Sequence, residues 1–178
     1  ATERFIDLAV GPMRMANFYP LMLEGTAQAA AATGAFFSGD GRRPVVRMFD
    51  TAGTLIREIH WDTTTQAVNA SFTEAFRSTL PPAMRAVPMA DSMPYFTDLH
   101  ADRSGGLWVK LFTMPGSGDQ RWMFFDEHGV RRSVAEFPEQ LKVYEFAFPT
   151  ILGLVEDSMG TETIRKLQLA LPKGREGR

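Results

Sequence analysis

Short apolar bursts recur along this chain, many of them with polar residues at alternate positions. They run over 45–49, 54–59, 95–100, 107–112, 121–125, 130–137, 142–148, 151–155 and 162–169, and most are bounded by Gly, Pro, Asp or Ser. A period of two in runs this short, rich in Val, Ile, Phe, Trp and Thr, predicts β-strands with one face turned to a core. Further strands are predicted at 5–10, 17–23 and 33–38, with Gly39, Asp40 and Gly41 as a turn. The alanines of 29–32 stay undecided, since Ala favours helix but the window is too short to hold one.

The punctuation between strands is itself repeated. Asp-x-x-Gly occurs at Asp50–Gly53, Asp102–Gly105, Asp126–Gly129 and Asp157–Gly160. The Asp side chain can accept a hydrogen bond from the backbone two residues on, and Gly supplies a positive φ without steric cost. That chemistry joins two antiparallel strands through a four-residue or bulged loop, so the phrases predict hairpins. One stretch departs from the period of two. Phe72, Ala75, Phe76 and Leu80 recur at helical spacing behind Ser71 and Glu74, which form a capping box. Pro81 and Pro82 close that helix, and Pro82 opens a second short turn through Arg85.

A longer repeat sits on top of these phrases. Met48-Phe49-Asp50-x-x-Gly53 matches Phe124-Phe125-Asp126-x-x-Gly129, each copy beside Arg-bearing strands. Small antiparallel sheets repeated at intervals of a few tens of residues are the sequence pattern of propeller blades. The expected fold class is all-β, a partial β-propeller-like domain of about three antiparallel blades with a short helical insertion. Residues 1–178 read as one domain. N-terminal strands and a first blade fill 1–62, the helical insertion 63–92, two C-terminal blades 93–171, and a frayed tail 172–178.

Several of these segments carry a family resemblance. Tyr95-Phe96-Thr97-Asp98-Leu99-His100-Ala101-Asp102, then Gly106-Leu107-Trp108-Val109, then Arg121 through Gly129, resemble the late blades of bacterial exported six-bladed β-propellers of the NHL-like kind. Pro149 through Glu162 is similar to the final blade of that family, and Arg47 through Asp62 to an earlier one. The insertion with Leu80-Pro81-Pro82-Ala83-Met84-Arg85 also has a counterpart there. The resemblance covers roughly 34–170 and implies the fold and export from the cytoplasm. It implies no catalytic residues. A blade takes about 40–50 residues, so three fit here, whereas a ring needs at least four. Unclosed blades leave strand edges and apolar flanks exposed. Missing N-terminal residues, self-association or docking onto other subunits are the three remedies.

Composition narrows the function. The chain has 178 residues, a net charge of −2 and a hydrophobic fraction of 44%, which suits a folded core. No basic field exists to hold nucleic acid, and most of the positive charge is Arg, which favours fixed contacts. There is no Cys, which excludes disulfides, thiolate nucleophiles and Cys-based zinc sites. No apolar run approaches the ~20 residues that span a bilayer. A start at Ala1 fits a processed or trimmed product, or the visible part of a longer chain.

The best-looking site is Asp98-Leu99-His100-Ala101-Asp102. Alternate residues of a strand share a face, so Asp98, His100 and Asp102 point one way and could hold a divalent metal or serve as acid and base. The ordinary reading is that they are polar residues on a half-buried strand, with Asp102 engaged in its turn; it prevails here. His60 and His128 lie near a strand end and inside a turn, with nothing to bring them to His100. Gly116-Ser117-Gly118 lacks the spacing of a nucleophile elbow, and Asp102-Arg103-Ser104 lacks the alternating oxygen ligands of a calcium loop. No cofactor is expected. Arg42, Arg43, Arg131 and Arg132, with Lys173, Arg175 and Arg178 in the tail, form small basic clusters that could pair with acidic patches on a partner. Trp61, Trp108 and Trp122 are core by default, yet in an incomplete ring some would face a partner, since aromatics and Arg mark interface cores.

The expected function is a non-catalytic, extracytoplasmic scaffold or interaction subunit that stabilises a larger assembly of other protein subunits. Its specific form is an accessory subunit on the periplasmic face of a membrane bioenergetic complex of photosynthetic reaction-centre type. Two alternatives stand beside it. One is a fragment of a ligand-binding or hydrolytic propeller with Asp98, His100 and Asp102 at a channel-facing site. The other is a small β-barrel carrier with a closed sheet.

Overall fold

The computed structural model describes residues 28–32, 34–64, 67–79, 81–82, 85–86, 91–113, 118–157 and 159–169. The strands predicted at 5–10 and 17–23 and the tail 172–178 lie outside the described residues. Among the described residues eleven strands and one helix follow in chain order. They are β1 (Gln28–Ala32), β2 (Ala35–Gly39), β3 (Val45–Asp50), β4 (Leu55–His60), α1 (Ala70–Thr79), β5 (Phe96–Ala101), β6 (Leu107–Leu111), β7 (Gln120–Phe125), β8 (Arg131–Phe137), β9 (Leu141–Ala147), β10 (Thr150–Glu156) and β11 (Glu162–Gln168). They make three antiparallel meanders, β1-β2-β3-β4, β5-β6-β7-β8 and β9-β10-β11. The fold is all-β with a short helical insertion, as the period of two requires.

Every Asp-x-x-Gly phrase is a hairpin turn. The Gly N–H donates to the Asp carbonyl at 3.0 Å in the first, second and fourth copies and at 2.8 Å in the third. The Asp N–H donates to the carbonyl four residues on at 2.8–3.0 Å. Gly53, Gly105, Gly129 and Gly160 hold φ of +82°, +90°, +72° and +82°, the left-handed region that Gly enters without Cβ strain.

Two sequence readings are corrected. The undecided Ala run is strand β1, paired residue for residue with β2 from Gln28↔Gly39 to Ala32↔Ala35. Ladder pairing overrides the helix preference of Ala in so short a window. Gly34, directly before β2, holds φ +81°. The helix is capped by Asn69 rather than by Ser71. Asn69 Oδ1 accepts the Phe72 N–H at 2.8 Å, and the Ser71 hydroxyl donates to the same oxygen. The helix ends before the predicted Pro stop, and the Arg85 N–H reaches the Pro82 carbonyl at 3.3 Å. The ends of the insertion are tied together by a bridge between Ala67 and Ser92.

The sheets stack with the second in the middle. Phe37, Val46, Ile59 and Trp61 meet Phe96, Leu99, Leu107, Val109, Met123 and Phe125 in one core between the first and second sheets. Trp108, Trp122, Phe124 and Phe137 meet Leu141, Phe146 and Ile151 in another, between the second and third. Successive residues of β6 and β7 serve opposite cores, which explains why Leu107-Trp108-Val109 and Trp122-Met123-Phe124-Phe125 are all buried. A strand buried on both faces loses its alternation and reads as a continuous apolar run. The first strands of the sheets lie together, with β5 beside β1 and near β9. Among the described residues no sheet closes on itself: each has two end strands. This removes the β-barrel alternative, which needs a closed sheet.

Candidate functional site

Strand β5 sets Asp98, His100 and, just beyond its end, Asp102 on the face turned toward the third sheet. Their local chemistry then separates them. Asp102 is 1% exposed. Its Oδ1 accepts the Ser104 N–H at 2.8 Å and the Ser104 hydroxyl at 2.5 Å. Its Oδ2 accepts the Trp108 indole N–H at 3.0 Å and the Phe148 N–H at 3.1 Å. A parallel bridge to Phe146 and a bond from the Arg103 N–H to the Phe146 carbonyl at 3.1 Å run alongside. Asp102 therefore ties its own turn, the core tryptophan of β6 and the end of β9 in the third sheet. Both oxygens face donors, which leaves no lone-pair direction for a metal.

Asp50, Asp126 and Asp157 use Oδ1 only within their own loops, accepting from the second and fourth residues on at 2.8–3.0 Å. Asp126 adds the Arg132 guanidinium at 2.6 Å. Burial raises the Asp126 pKa, but the Val130 N–H, the Arg132 guanidinium and the His128 N–H together hold it below the usual carboxylate value.

His100 and Asp98 stay together. His100 Nε2 lies 3.4 Å from Asp98 Oδ2, while Asp98 Oδ1 accepts the Leu99 N–H at 2.9 Å. The imidazole stands edge-on to Trp122 and Phe146, with centroids 5.4 and 5.6 Å away. Lys110, opposite Asp98 in the ladder, holds its ammonium 5.7 Å from the centre of the Trp122 ring. Burial lowers the Lys110 pKa, and the charges of Asp98 and Glu139 oppose that shift. The arrangement is a polar cap over an aromatic wedge. Among the described residues no group of three or more His, Cys, Asp or Glu side chains could hold a metal ion. His60, in the first sheet, lies 3.3 Å from Glu58, and His128, in the β7–β8 turn, lies 3.6 Å from Glu127.

The interface candidates divide sharply. Trp61, Trp108 and Trp122 are 7%, 0% and 2% exposed, and this corrects their assignment to a partner surface. They lie between the chain's own sheets, where aromatic area is worth most. Trp61 packs on Phe96 and Phe125, both at 5.7 Å, and Trp108 stacks on Phe146 at 4.5 Å. Trp122 Nε1 donates to Gln120 Oε1, whose amide caps the Pro138 and Leu141 carbonyls. The arginines are solvent-facing: Arg42, Arg43, Arg131 and Arg132 are exposed, with Arg132 engaged by Asp126. Arg43 borders a shallow depression of about 120 Å³ beside Ser38, Asp40 and Arg47.

The uncovered apolar surface lies elsewhere, on residues the sequence reading did not single out. On the first sheet, Phe37 and Val46 face the core, so Phe36, Phe49 and Leu55 face outward. Phe36 stacks on Phe49 at 4.9 Å, and the Phe49↔Leu55 pair continues the row. On the third sheet, Ile151, Val155 and Leu167 face the core, and Leu152, Leu154 and Ile164 face out, with exposed Tyr144 beside them. Leu55 is 49% and Ile164 70% exposed. The signal was present as alternation, but which face is covered depends on which sheets end the stack.

No family model matches the chain, and no curated protein matches it either.

Proposed function

We propose that this chain is a non-catalytic scaffold whose two end faces dock onto other protein surfaces in a larger assembly. One observation carries the reading: among the described residues, a stack of three sheets covers its middle sheet on both sides and has an apolar row exposed at each end. Contiguous exposed apolar faces on an otherwise well-packed domain mark sites of association. The sheets are read as sectors of a propeller, because each is an antiparallel meander and their first strands gather together. The resemblance to exported propeller proteins supports a place outside the cytoplasm. The specific assembly we name is a membrane bioenergetic complex of photosynthetic reaction-centre type, with this chain as an accessory subunit on its periplasmic face. Among the described residues no helix is long and apolar enough to cross a membrane.

In the hydrolytic or ligand-binding alternative Asp102 would be one contributor, and its carboxylate is fully engaged; Asp98 and His100 are the contributors that remain. The scaffold reading is tested by crosslinking and size exclusion in native extracts. The chain is expected in a larger particle, released by Leu55→Glu or Ile164→Glu. Elution as a free monomer without crosslinked neighbours overturns the proposal.

A further inference from the structure

We propose that Lys110 is an acylation site, its amine taking the acyl group of a small acyl phosphate.

Alternation along β6 turns Trp108 and Lys110 to one side, the side packed on the third sheet. In the ladder Lys110 stands between Asp98 of β5 and Trp122 of β7. Its ammonium lies 5.7 Å from the centre of the Trp122 ring, and that ring belongs to the core between the second and third sheets. Lys110 itself is half-buried. The amine thus sits at the rim of an aromatic core, partly withdrawn from water.

The carboxylate across the ladder is occupied elsewhere. Asp98 Oδ1 accepts the Leu99 N–H at 2.9 Å, and Asp98 Oδ2 lies 3.4 Å from His100 Nε2. Among the described residues no carboxylate forms an ion pair with the Lys110 ammonium. An ammonium that loses water on burial without gaining an ion pair gives ground to the neutral, nucleophilic amine. The charges of Asp98 and Glu139 act from longer range and oppose the effect of burial without cancelling it. The titratable groups around the amine are Asp98 and His100 on β5 and Glu139 in the β8–β9 connection. On β9, Lys142 faces away, because Leu141 and Val143 turn to the core.

The remaining lysines supply the contrast. The chain has four, Lys110, Lys142, Lys166 and Lys173. Lys142 makes the same kind of ring contact, 5.6 Å from the centre of Tyr144, but both of those residues are exposed. Lys166, on β11, is exposed as well. Partial burial, not the ring contact, sets Lys110 apart.

A half-buried amine requires a small donor. The nitrogen attacks the acyl carbonyl carbon, the C–N bond forms, and the C–O bond to phosphate breaks. Phosphate leaves with the bonding pair, and the surplus proton on nitrogen passes to the Asp98 carboxylate. The product is an uncharged amide, so the positive charge is removed from beside Trp122, Asp98 and Glu139.

The test treats the folded chain with acetyl phosphate at a series of pH values below the ordinary lysine pKa of about 10.4, and follows each lysine by mass spectrometry of peptides. At neutral pH Lys110 is expected to be acetylated at least about threefold faster than Lys142 and Lys166, since each unit of lowered pKa gives about ten times more free amine. Its rate is expected to rise at a lower pH than theirs. In denaturing urea the lead disappears. Lys110→Arg removes the fast component from the total acetylation, with circular dichroism melts confirming that the variant is folded. A Lys110 that reacts no faster than the exposed lysines of the folded chain overturns the proposal. So does a lead that persists in urea, because local sequence and not the fold would then be its cause.

Discussion

Asp102 accepts four hydrogen bonds where the other turn aspartates accept bonds from their own hairpins, and its substitution separates the two roles. Asp102→Ala leaves the buried Trp108 indole N–H and the Phe148 N–H without acceptors, at an expected cost of about 2–5 kcal/mol. Asp102→Asn keeps the shape but turns one acceptor into a donor facing donors, and is expected to lose most of the same stability. Asp50→Ala, in an exposed turn, is expected to cost about 1 kcal/mol. Urea midpoints of the three variants give the comparison. Asp126 supplies a pH dependence with a defined sign. Its folded pKa is lowered, so the native state binds fewer protons than the unfolded one as the group titrates. The stabilisation is present above the unfolded value of about 3.9 and is lost as pH falls through the folded value. Asp126→Asn is expected to flatten that part of the acid limb in urea midpoints measured down to about pH 2.5. For the tryptophans the default reading as core held and the partner-facing one did not. An aromatic that marks a core and one that marks an interface look alike in sequence, and Trp61, Trp108 and Trp122 all went to the core.

At the scale of elements, most of the strands were legible because the turns are. Asp and Gly at fixed offsets close a loop of one geometry wherever they fall between apolar bursts, and that chemistry is local. The Ala run of β1 was not legible, since its partner β2 decides its state. The cap of α1 moved from Ser71 to Asn69 for a related reason. Both residues can cap, and the helix starts at Ala70, directly after Asn69. Asn69→Ala is therefore expected to cost about 1 kcal/mol, and Ser71→Ala less, read as faster amide exchange along 70–79. Gly106 shows how tightly β5, β6 and β7 approach. A Cβ there would sit 2.5 Å from the Phe125 carbonyl oxygen and 2.7 Å from the Phe124 ring. Gly106→Ala is expected to destabilise by about 1–3 kcal/mol, as overpacking does, measured as a lowered urea midpoint.

At the scale of the molecule, inner and outer apolar surfaces predict opposite responses. Trp61→Ala removes a ring from the first core and is expected to cost about 3–5 kcal/mol. Phe36→Ser with Leu55→Thr changes two side chains on an exposed face, and is expected to shift the stability of the isolated chain by roughly 0.5 kcal/mol or less. Chemical denaturation of both variants decides whether the end faces contribute to this fold or are free for another surface.

The sequence by itself determined the strand periodicity, the four turns and the repeat that makes Phe49 equivalent to Phe125. These follow from alternation and from Gly and Asp chemistry within a few residues. Only the tertiary structure decided that Phe125 is buried while Phe49 is not, that Asp102 binds across to Phe148, and that Leu152 and Ile164 lie on an open face. Local patterns fix which residues share a side of a sheet. Whether that side is covered depends on the stacking of sheets, and among the described residues the first and last sheets each pack on one neighbour.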